Sequence, residues 1–241
     1  MDILEITEIL HPAIQGKTVP FLCRADDDKL YYVKGKSAGR RGQFCEWVVA
    51  HLAQSFGLPV PPFRLVSVSP ELLAESPREH QILGTGYAFA SLARSQAQWL
   101  QTSFVMDIPR DLRCAVLAFD WWIKNFDRHE DNPNLLWAAG TKELVVIDHA
   151  FAFSEDFWPT IFWEQHIFKD DWNTIVSDPV RKKEYAEKMS AALLGWKNSC
   201  DAAPKEWQMQ NLGEDDGEIF DCASALTILA RCTTEELWKP I

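Results

Sequence analysis

The sequence lacks the features that mark several large classes of protein. None of its six cysteines stands in a CxxC pair, so a zinc site is not predicted; they lie at positions 23, 45, 114, 200, 222 and 232. No apolar run approaches the length of a membrane-spanning helix, and the acidic, interrupted N-terminus does not resemble a signal peptide. No internal repeat or low-complexity tract is present. These absences favour a cytoplasmic globular protein whose thiols are reduced and mostly buried.

Positive charge is scarce as well. The chain has 24 lysines and arginines against 35 aspartates and glutamates, which gives a formal net charge of −11. This charge disfavours direct binding to nucleic acid and to anionic membrane surfaces. Apolar residues, in contrast, make up 47% of the 241 residues, enough to form the core of one large domain or of two small lobes.

The first part of the chain is predicted to be rich in β-structure, with one helix. The segments concerned are a hairpin at 18–35, a helix at about 43–56, a strand at 62–69 and a segment at 82–92 that begins as a strand and becomes loop-like. Acidic residues at 26–28 suit the hairpin turn, and 36–43 and 70–80 are predicted as loops. We place a β-rich lobe at residues 1–90, with a hinge near 86–95.

The rest of the chain is predicted to be mainly helical, forming a second lobe over residues 91–241. Asp107 as N-cap and Pro109 in the first turn predict a helix that ends near Asn125. The short segments "NLLW" and "LVVI" predict a hairpin. Further helices are predicted at 179–197 and 215–231, followed by a capping box formed by Thr233 and Glu236. The aromatic stretch 157–168 favours core or a lobe seam, with a substrate-binding surface as the alternative.

A dense polar run interrupts the apolar sequence in "FDWWIKNFDRHEDNPNLLW", residues 119–137. Asp127 and Asn132 lie between the predicted buried helix and the hairpin, and Asp148 lies at the far end of that hairpin. Because the outer ends of a hairpin meet, we expect these three side chains to cluster. Their oxygens are the ligands that Mg²⁺ prefers. Taken alone, Asp127 and Asn132 could instead cap a turn.

A lysine and a glutamate complete an ordered set of polar residues. Lys34 ends the strand "YYVK", and Glu46 lies near the start of the next helix. A strand lysine paired with a helix glutamate, then D-x(4)-N, then an acid after a hairpin is the order found in protein kinases. Singly, Lys34 could be a solvated charge at a strand end and Glu46 an exposed acid.

The residues of these motifs resemble those of one group of kinases in particular. "NFDRHEDNPNLL" followed by "VIDHA" resembles the D-R-H loop and downstream aspartate of HipA-like serine/threonine kinases of bacterial toxin–antitoxin systems, and of phosphatidylinositol 3/4-kinases. Upstream, "YYVKGKSAGRRGQFCEWVVAHLAQSFGLPVPPFRLVSV" is similar to the HipA-like pattern of strand lysine, loop, helix, "LGLPVP" and strand. The resemblance covers about residues 18–155 and favours the HipA-like family.

The resemblance implies a two-lobe, protein-kinase-like α+β fold that binds ATP and Mg²⁺. It implies phosphoryl transfer to a serine or threonine of an unidentified protein, in the family a translation component, with an antitoxin or accessory chain as partner. The implied roles are as follows: Asp127 as catalytic acid, Lys34 on the phosphates, Glu46 positioning Lys34, His129 stabilising developing charge, Asn132 and Asp148 holding Mg²⁺, and Phe89 and Ala90 in "GYAFASL" contacting the nucleotide.

Some residues depart from the kinase pattern or carry two interpretations. The turn "ADDDK" has no glycine to cover phosphates, so the basic loop with Lys36 is the better phosphate neighbour by charge. In that loop, Ser37 is a hypothetical autophosphorylation site. His129 could equally be a structural histidine, and Arg128 is expected to tie the loop to Asp120 or another acid. A lipid or inositol-phosphate kinase and a catalytically silent pseudokinase that binds a partner are the alternative functions.

Overall fold

The computed structural model describes residues 3–13, 19–208 and 220–239. The chain forms two compact units, each built from separate parts of the sequence. Unit 1 comprises Met1–Trp47, Pro61–Ser95 and Ala203–Phe220, and unit 2 comprises Val48–Val60, Gln96–Ala202 and Asp221–Ile241. The predicted lobe boundary between residues 90 and 91 stays a prediction. Within the described ranges, no helix is both long enough and apolar enough to cross a membrane.

Unit 1 contains five strands that close into a barrel in the order β1-β2-β3-β5-β4. The strands are β1 Leu4–Pro12, β2 Phe21–Ala25, β3 Leu30–Lys34, β4 Phe63–Val68 and β5 Gly86–Leu92. β2 and β3 pair antiparallel, which confirms the predicted hairpin. Its turn contains Asp28 with a φ of 61°, a left-handed conformation that aspartate tolerates better than most residues. Alternate residues of β2, beginning with Phe21, point into the core.

The helix that follows β3 begins earlier than its apolar periodicity suggests. A 3-10 helix covers Lys36–Ala38, and α1 then runs over Gly39–Phe56. The prediction of a loop at 36–43 is therefore wrong for most of its length. Its small and basic composition looks loop-like, yet arginine and glutamine are good helix formers. The buried face of α1 contains Phe44, Val48 and Leu52, as the spacing predicts.

Three parts of unit 1 outside α1 differ from expectation. β1 was not predicted, since its burial does not alternate regularly and its pairing with β2 contains two register shifts. The predicted polar loop at 70–80 contains α2, Pro70–Glu75, whose first turn is capped by the Ser69 hydroxyl, which accepts from the Leu72 N–H. A 3-10 helix over Arg78–Leu83 precedes β5, so segment 82–92 ends, rather than begins, as a strand.

Unit 2 is mainly helical around one small sheet. Besides the second half of α1, its described helices are α3 Arg110–Trp122, α4 Pro159–Gln165, α5 Trp172–Val176, α6 Pro179–Leu193, α7 Trp196–Ala202 and α8 Cys222–Leu229. Its sheet has the order β6-β7-β8, with β6 Gln98–Trp99, β7 Leu135–Ala138 and β8 Glu143–Val146. β7 and β8 pair antiparallel, which confirms the hairpin formed by "NLLW" and "LVVI". The short strand β6 was not predicted.

Helix ends were the least predictable feature of unit 2. Asp107 ends a 3-10 helix and Pro109 is the N-cap of α3, so the prediction of Asp107 as N-cap is wrong. The predicted helix 179–197 is divided between α6 and α7, with Gly195 at the break. Part of the predicted helix 215–231 lies outside the described residues, and the rest forms α8 and a 3-10 turn. The capping box is wrong, since Thr234 is the N-cap and makes no side-chain cap.

The aromatic stretch 157–168 contributes to the core of unit 2. Phe162 is buried, and Trp163 packs on Trp121 with ring centroids 4.6 Å apart. Phe157 also contacts the Trp121 ring. Trp158 differs from these residues, since 64% of it is exposed. Ile161 is also exposed, so the core interpretation holds for the buried aromatic residues of the stretch but not for Trp158 or Ile161.

Candidate active site

The polar run after α3 is built on a buried ion pair. The Arg128 Nε donates to Asp120 Oδ2 over 2.6 Å, and Nη2 donates to Oδ1 over 3.4 Å. This confirms the prediction that Arg128 ties the loop to Asp120. His166 also contacts this carboxylate, since its Nε2 lies 3.1 Å from Asp120 Oδ2. The Phe168 N–H donates to His166 Nδ1, so the proton of a neutral His166 ring is on Nε2 and is donated to Asp120.

Opposing electrostatic effects set the charges of these groups. Burial alone would raise the pKa of Asp120, but Arg128 and His166 hold that pKa below its ordinary value. Burial lowers the pKa of His166, and this effect exceeds the opposing influence of Asp120. At neutral pH the cluster therefore contains an ionised Asp120, a charged Arg128 and a neutral His166.

Arg128 also fixes the backbone on both sides of the β7–β8 hairpin. Its Nη1 donates to the carbonyl oxygens of Pro133, Asn134 and Ile147 over 3.2, 2.6 and 3.3 Å. The Ile147 N–H donates to the Asn134 carbonyl over 3.1 Å. These bonds hold the residue before Asp148 against the loop that follows Asp127. The predicted meeting of the two hairpin ends is confirmed at the level of the backbone.

Two asparagines hold the Asp127 carboxylate. Asn132 Nδ2 donates to Asp127 Oδ2 over 2.9 Å and to the Asp127 carbonyl over 3.2 Å. Asn134 Nδ2 donates to the same two oxygens, over 3.2 Å and 2.8 Å. Asp127 is almost fully buried. The structure thus brings the predicted Asp127 and Asn132 together and adds Asn134, whose only sequence signal is the second asparagine of "NPN".

His129 shapes the tight turn between Asp127 and Asn132 through its backbone. Its N–H donates to the Asn132 carbonyl over 3.2 Å, and the Asn132 N–H donates back over 3.0 Å. The neighbouring Ile167 N–H donates to the Arg128 carbonyl over 3.1 Å, which fixes the turn to the segment after α4. These bonds are made by the backbone of His129 and do not involve its ring, so the alternative of a structural histidine also stays a prediction. The role of its ring in stabilising charge stays a prediction.

The donor set of Asn132 and Asp148 fits a divalent cation. Asp148 is half-buried and has a φ of 59°, and its Oδ1 accepts from the Ala150 N–H over 3.5 Å. Because the Asn132 amide nitrogen faces Asp127, the amide oxygen points in another direction and is available as a ligand. The described ranges contain no cluster of three or more His, Cys, Asp and Glu side chains suited to a metal. A magnesium site with few protein ligands, completed by phosphate and water, matches such a set.

Lys34 and Glu46 form a buried ion pair in unit 1. Lys34 Nζ donates to Glu46 Oε1, and the two side chains are 11% and 2% exposed. The predicted pairing is confirmed, whereas the interpretations of a solvated lysine and an exposed glutamate are wrong. Each charge has left water, and their mutual attraction offsets part of that desolvation. A contact of Lys34 with phosphates stays a prediction.

The predicted nucleotide residues lie close to Lys34 in the barrel. Phe89 is opposite Lys34 in the β3–β5 ladder, and Ala90 is one residue further along β5. Both are buried, while Lys36 is exposed on the 3-10 helix after β3. The backbone before Lys36 is closely packed, because a Cβ added to Gly35 would lie 2.1 Å from the Leu83 carbonyl oxygen. Their contacts with a nucleotide stay predictions.

Almost the whole chain matches one protein family. The model of the HipA-like kinase family covers residues 6–241. The chain belongs to the HipA-like kinase family. The predicted family is confirmed, and the match extends well beyond the residues 18–155 that carried the resemblance. Membership makes the chain a phosphotransferase of the kinase type. A search of curated proteins gave no match.

Solved kinase structures share the fold. The Helicobacter pylori proinflammatory kinase CtkA has a TM-score of 0.52 and 14% identity, over 98% of this chain and 97% of that chain. The Golgi casein kinase with Mn and ADP bound has a TM-score of 0.50 and 12% identity, over 98% of this chain and 72% of that chain. These likenesses confirm the kinase-like α+β fold, with a β-rich N-terminal part and a mainly helical C-terminal part.

Proposed function

We propose that this HipA-like kinase transfers the γ-phosphoryl group of ATP to a serine or threonine hydroxyl of a protein. The observation that carries the proposal is the Asp127 carboxylate held by the amides of Asn132 and Asn134. An acid that orients an incoming hydroxyl must stay in one position, and these two donors supply that restraint. The HipA-like family match supports the proposal independently.

The proposed reaction is a direct displacement at phosphorus. The substrate hydroxyl oxygen forms a bond to the γ-phosphorus, the bond from the γ-phosphorus to the bridging oxygen breaks, and ADP leaves with that electron pair. Asp127 accepts the hydroxyl proton as the new bond forms. The surroundings of Asp127 suit this role, since the two amide donors hold its carboxylate in one position during the transfer.

A divalent cation completes the proposed site, with Asn132 and Asp148 as its protein ligands. The cation, Mg²⁺ in this proposal, neutralises phosphate charge when bound. The Golgi casein kinase structure, which contains Mn and ADP, gives a parallel in the same fold. Asn132 has a second task, because its amide nitrogen also bonds Asp127. Because Asn132 is proposed to contact both the cation and Asp127, it would fix the position of the cation relative to the catalytic acid.

Lys34 is proposed to contact the nucleotide phosphates, with Glu46 fixing the direction of its ammonium group. Both side chains are buried, so their pairing is little weakened by solvent. Phe89 and Ala90 on the neighbouring strand, together with exposed Lys36, are proposed to contact the nucleotide. The family resemblance favours a component of translation as target and an antitoxin or accessory chain as partner, in the cytoplasm. Ser37, exposed beside Lys36, is the proposed autophosphorylation site.

The experiment that tests the function uses γ-labelled ATP and Mg²⁺ with a bacterial lysate. Three proteins are compared: the unmutated chain, Asp127→Ala, and Asp131→Ala as a control that removes an exposed acid of the same loop. We expect one labelled lysate protein with the unmutated chain and with Asp131→Ala, and none with Asp127→Ala. Equal labelling by Asp127→Ala would overturn the role of Asp127. EDTA is expected to abolish transfer, and added Mg²⁺ to restore it.

Two further readouts separate the alternative functions. Liposomes containing phosphatidylinositol are incubated with the same labelled ATP, and label in lipid but not in protein would replace the proposal by a lipid kinase. Thermal stabilisation by ATP with no transfer to protein or lipid would indicate a pseudokinase. Label that stays on serine or threonine after phosphoamino-acid analysis supports the proposed specificity.

A further inference from the structure

We infer that Asn134, one of the two asparagines that contact Asp127, is the positioning residue that keeps the catalytic acid aligned. The inference rests on the proposed function, because it assigns Asn134 a task in the same reaction. Asn134 is 2% exposed, so it reaches neither solvent nor a substrate directly. It lies beyond the D-x(4)-N spacing that the sequence motif defines.

The backbone of Asn134 is held rigidly from two directions. Its carbonyl accepts from Arg128 Nη1 over 2.6 Å and from the Ile147 N–H over 3.1 Å. Arg128 is in turn anchored by the buried Asp120 carboxylate. A side chain that projects from such a fixed backbone has little freedom, so its amide is a firm support for the group it contacts.

The two asparagines differ in burial, and we assign them different roles on that basis. Both amides donate to Oδ2 and to the carbonyl of Asp127. Asn132 is only partly buried, and its oxygen suits the cation. Asn132 is thus proposed to serve both the cation and Asp127, whereas the buried Asn134 amide is directed at Asp127 and has no proposed part in cation binding. Asn134 therefore maintains the alignment of Asp127 independently of what Asn132 binds.

The backbone conformation explains why asparagine occupies this position. Asn134 has a φ of 48°, in the left-handed region that most residues avoid and asparagine enters more readily. Alanine there would lose the amide and add strain. Glycine would lose the amide without strain, and aspartate would keep the shape while placing a second carboxylate against Asp127. These three replacements separate the amide's contribution from that of the backbone.

The test measures transfer from γ-labelled ATP to the lysate protein that the unmutated chain labels, over a range of ATP concentrations. Asn134→Gly and Asn134→Ala are both expected to lower the maximal rate by about 10²-fold, the effect of a misplaced catalytic group. The KM for ATP and the affinity for a fluorescent ADP analogue are expected to stay unchanged. Asn134→Asp, which keeps the shape of the side chain but removes the amide donor, is expected to lower the maximal rate by a similar factor.

Different outcomes identify which idea fails. A full rate with Asn134→Gly would overturn the inference, since the backbone alone would then explain the residue. A rate that falls only in proportion to lost thermal stability or lost nucleotide affinity would overturn it too. Asn134→Gly retains the required φ, so it keeps the test decisive if Asn134→Ala does not fold. No transfer by the unmutated chain would instead overturn the proposed function, and the inference with it.

Discussion

Arg128 and Asp120 form an ion pair in which both side chains are completely shielded from solvent. The pair joins the last turns of α3 to the loop that carries Asp127, and the guanidinium continues to three backbone carbonyls. Such a pair is costly to desolvate and even more costly to break. Its placement shows that buried charge anchors the loop.

Removal of Arg128 is expected to destabilise the protein strongly. Arg128→Met leaves the Asp120 carboxylate buried without its cation and removes the bonds to the carbonyls, so we expect a loss of about 3–5 kcal/mol in the free energy of unfolding. Urea denaturation followed by circular dichroism measures the loss. The matched control is Arg24→Met, which breaks an exposed pair with Glu8 and should cost at most about 1 kcal/mol. Similar losses in both variants would contradict the assigned importance of the buried pair.

Stability is expected to fall in mild acid because of His166. Its pKa in the folded protein lies below the ordinary value of 6.5, so the unfolded chain binds a proton more readily. Stability contributed by neutral His166 is therefore present above about pH 6.5 and lost below it, by at most about 1.4 kcal/mol for each pH unit. Partly buried His51, whose pKa is also lowered by burial, adds a change of the same sign.

The measurement compares unfolding free energies at about pH 7.5 and about pH 5.5. His166→Gln removes the titrating ring and retains a donor for Asp120, so its stability should depend less on pH than that of the unmutated protein. His11→Gln, a change at an exposed position, serves as control and should show the original dependence. An unchanged dependence in His166→Gln would refute the assignment.

Ion pairs between residues of opposite charge were predictable from the sequence, and so were strands with a clear residue pattern. The pairing of Lys34 with Glu46, and of Arg128 with Asp120, follows from complementary charges near predicted element ends. The hairpin of β2 and β3 follows from two β-rich segments around an acidic turn. In each case the sequence signal lies within a short segment, or in two motifs whose order along the chain is known. The order of the motifs in protein kinases indicated that Lys34 pairs with Glu46, and the structure shows that this pair is buried.

Features that depend on several distant segments were not predictable. Asn134 looks like an ordinary loop asparagine, because its task requires a left-handed φ and bonds from Arg128 and Ile147. β1 could not be recognised alone, since its strand pattern is irregular and it is paired with β2 and β4. His166 lies within the aromatic stretch 157–168, which was predicted as core or a lobe seam, yet it contacts Asp120. Contacts of this kind join residues that are far apart in the sequence, so no local pattern indicates them.

Gly35 is expected to tolerate no side chain. A Cβ there would lie 2.1 Å from the Leu83 carbonyl oxygen, a backbone atom that cannot rotate away. Gly35→Ala must therefore displace the 3-10 helix that carries Lys36, and we expect a destabilisation of about 1–3 kcal/mol with weaker ATP binding. Denaturation and fluorescent-nucleotide titration measure the two effects. Gly140→Ala is the control, because nothing lies within 4 Å of the added carbon; equal behaviour of the two variants would contradict the close approach.

Lys34 is expected to be required for transfer, separately from its effect on stability. Lys34→Met removes the charge proposed to contact the phosphates, so we expect transfer to fall by about 10²–10³-fold. It also leaves Glu46 without this cation, which should lower stability. The double variant Lys34→Met/Glu46→Leu replaces the buried pair by apolar groups and should recover stability without recovering transfer. Lys29→Met, which changes an exposed lysine paired with Asp27, should keep full activity. If the double variant regained transfer together with stability, Lys34 would be a structural residue with no direct part in catalysis.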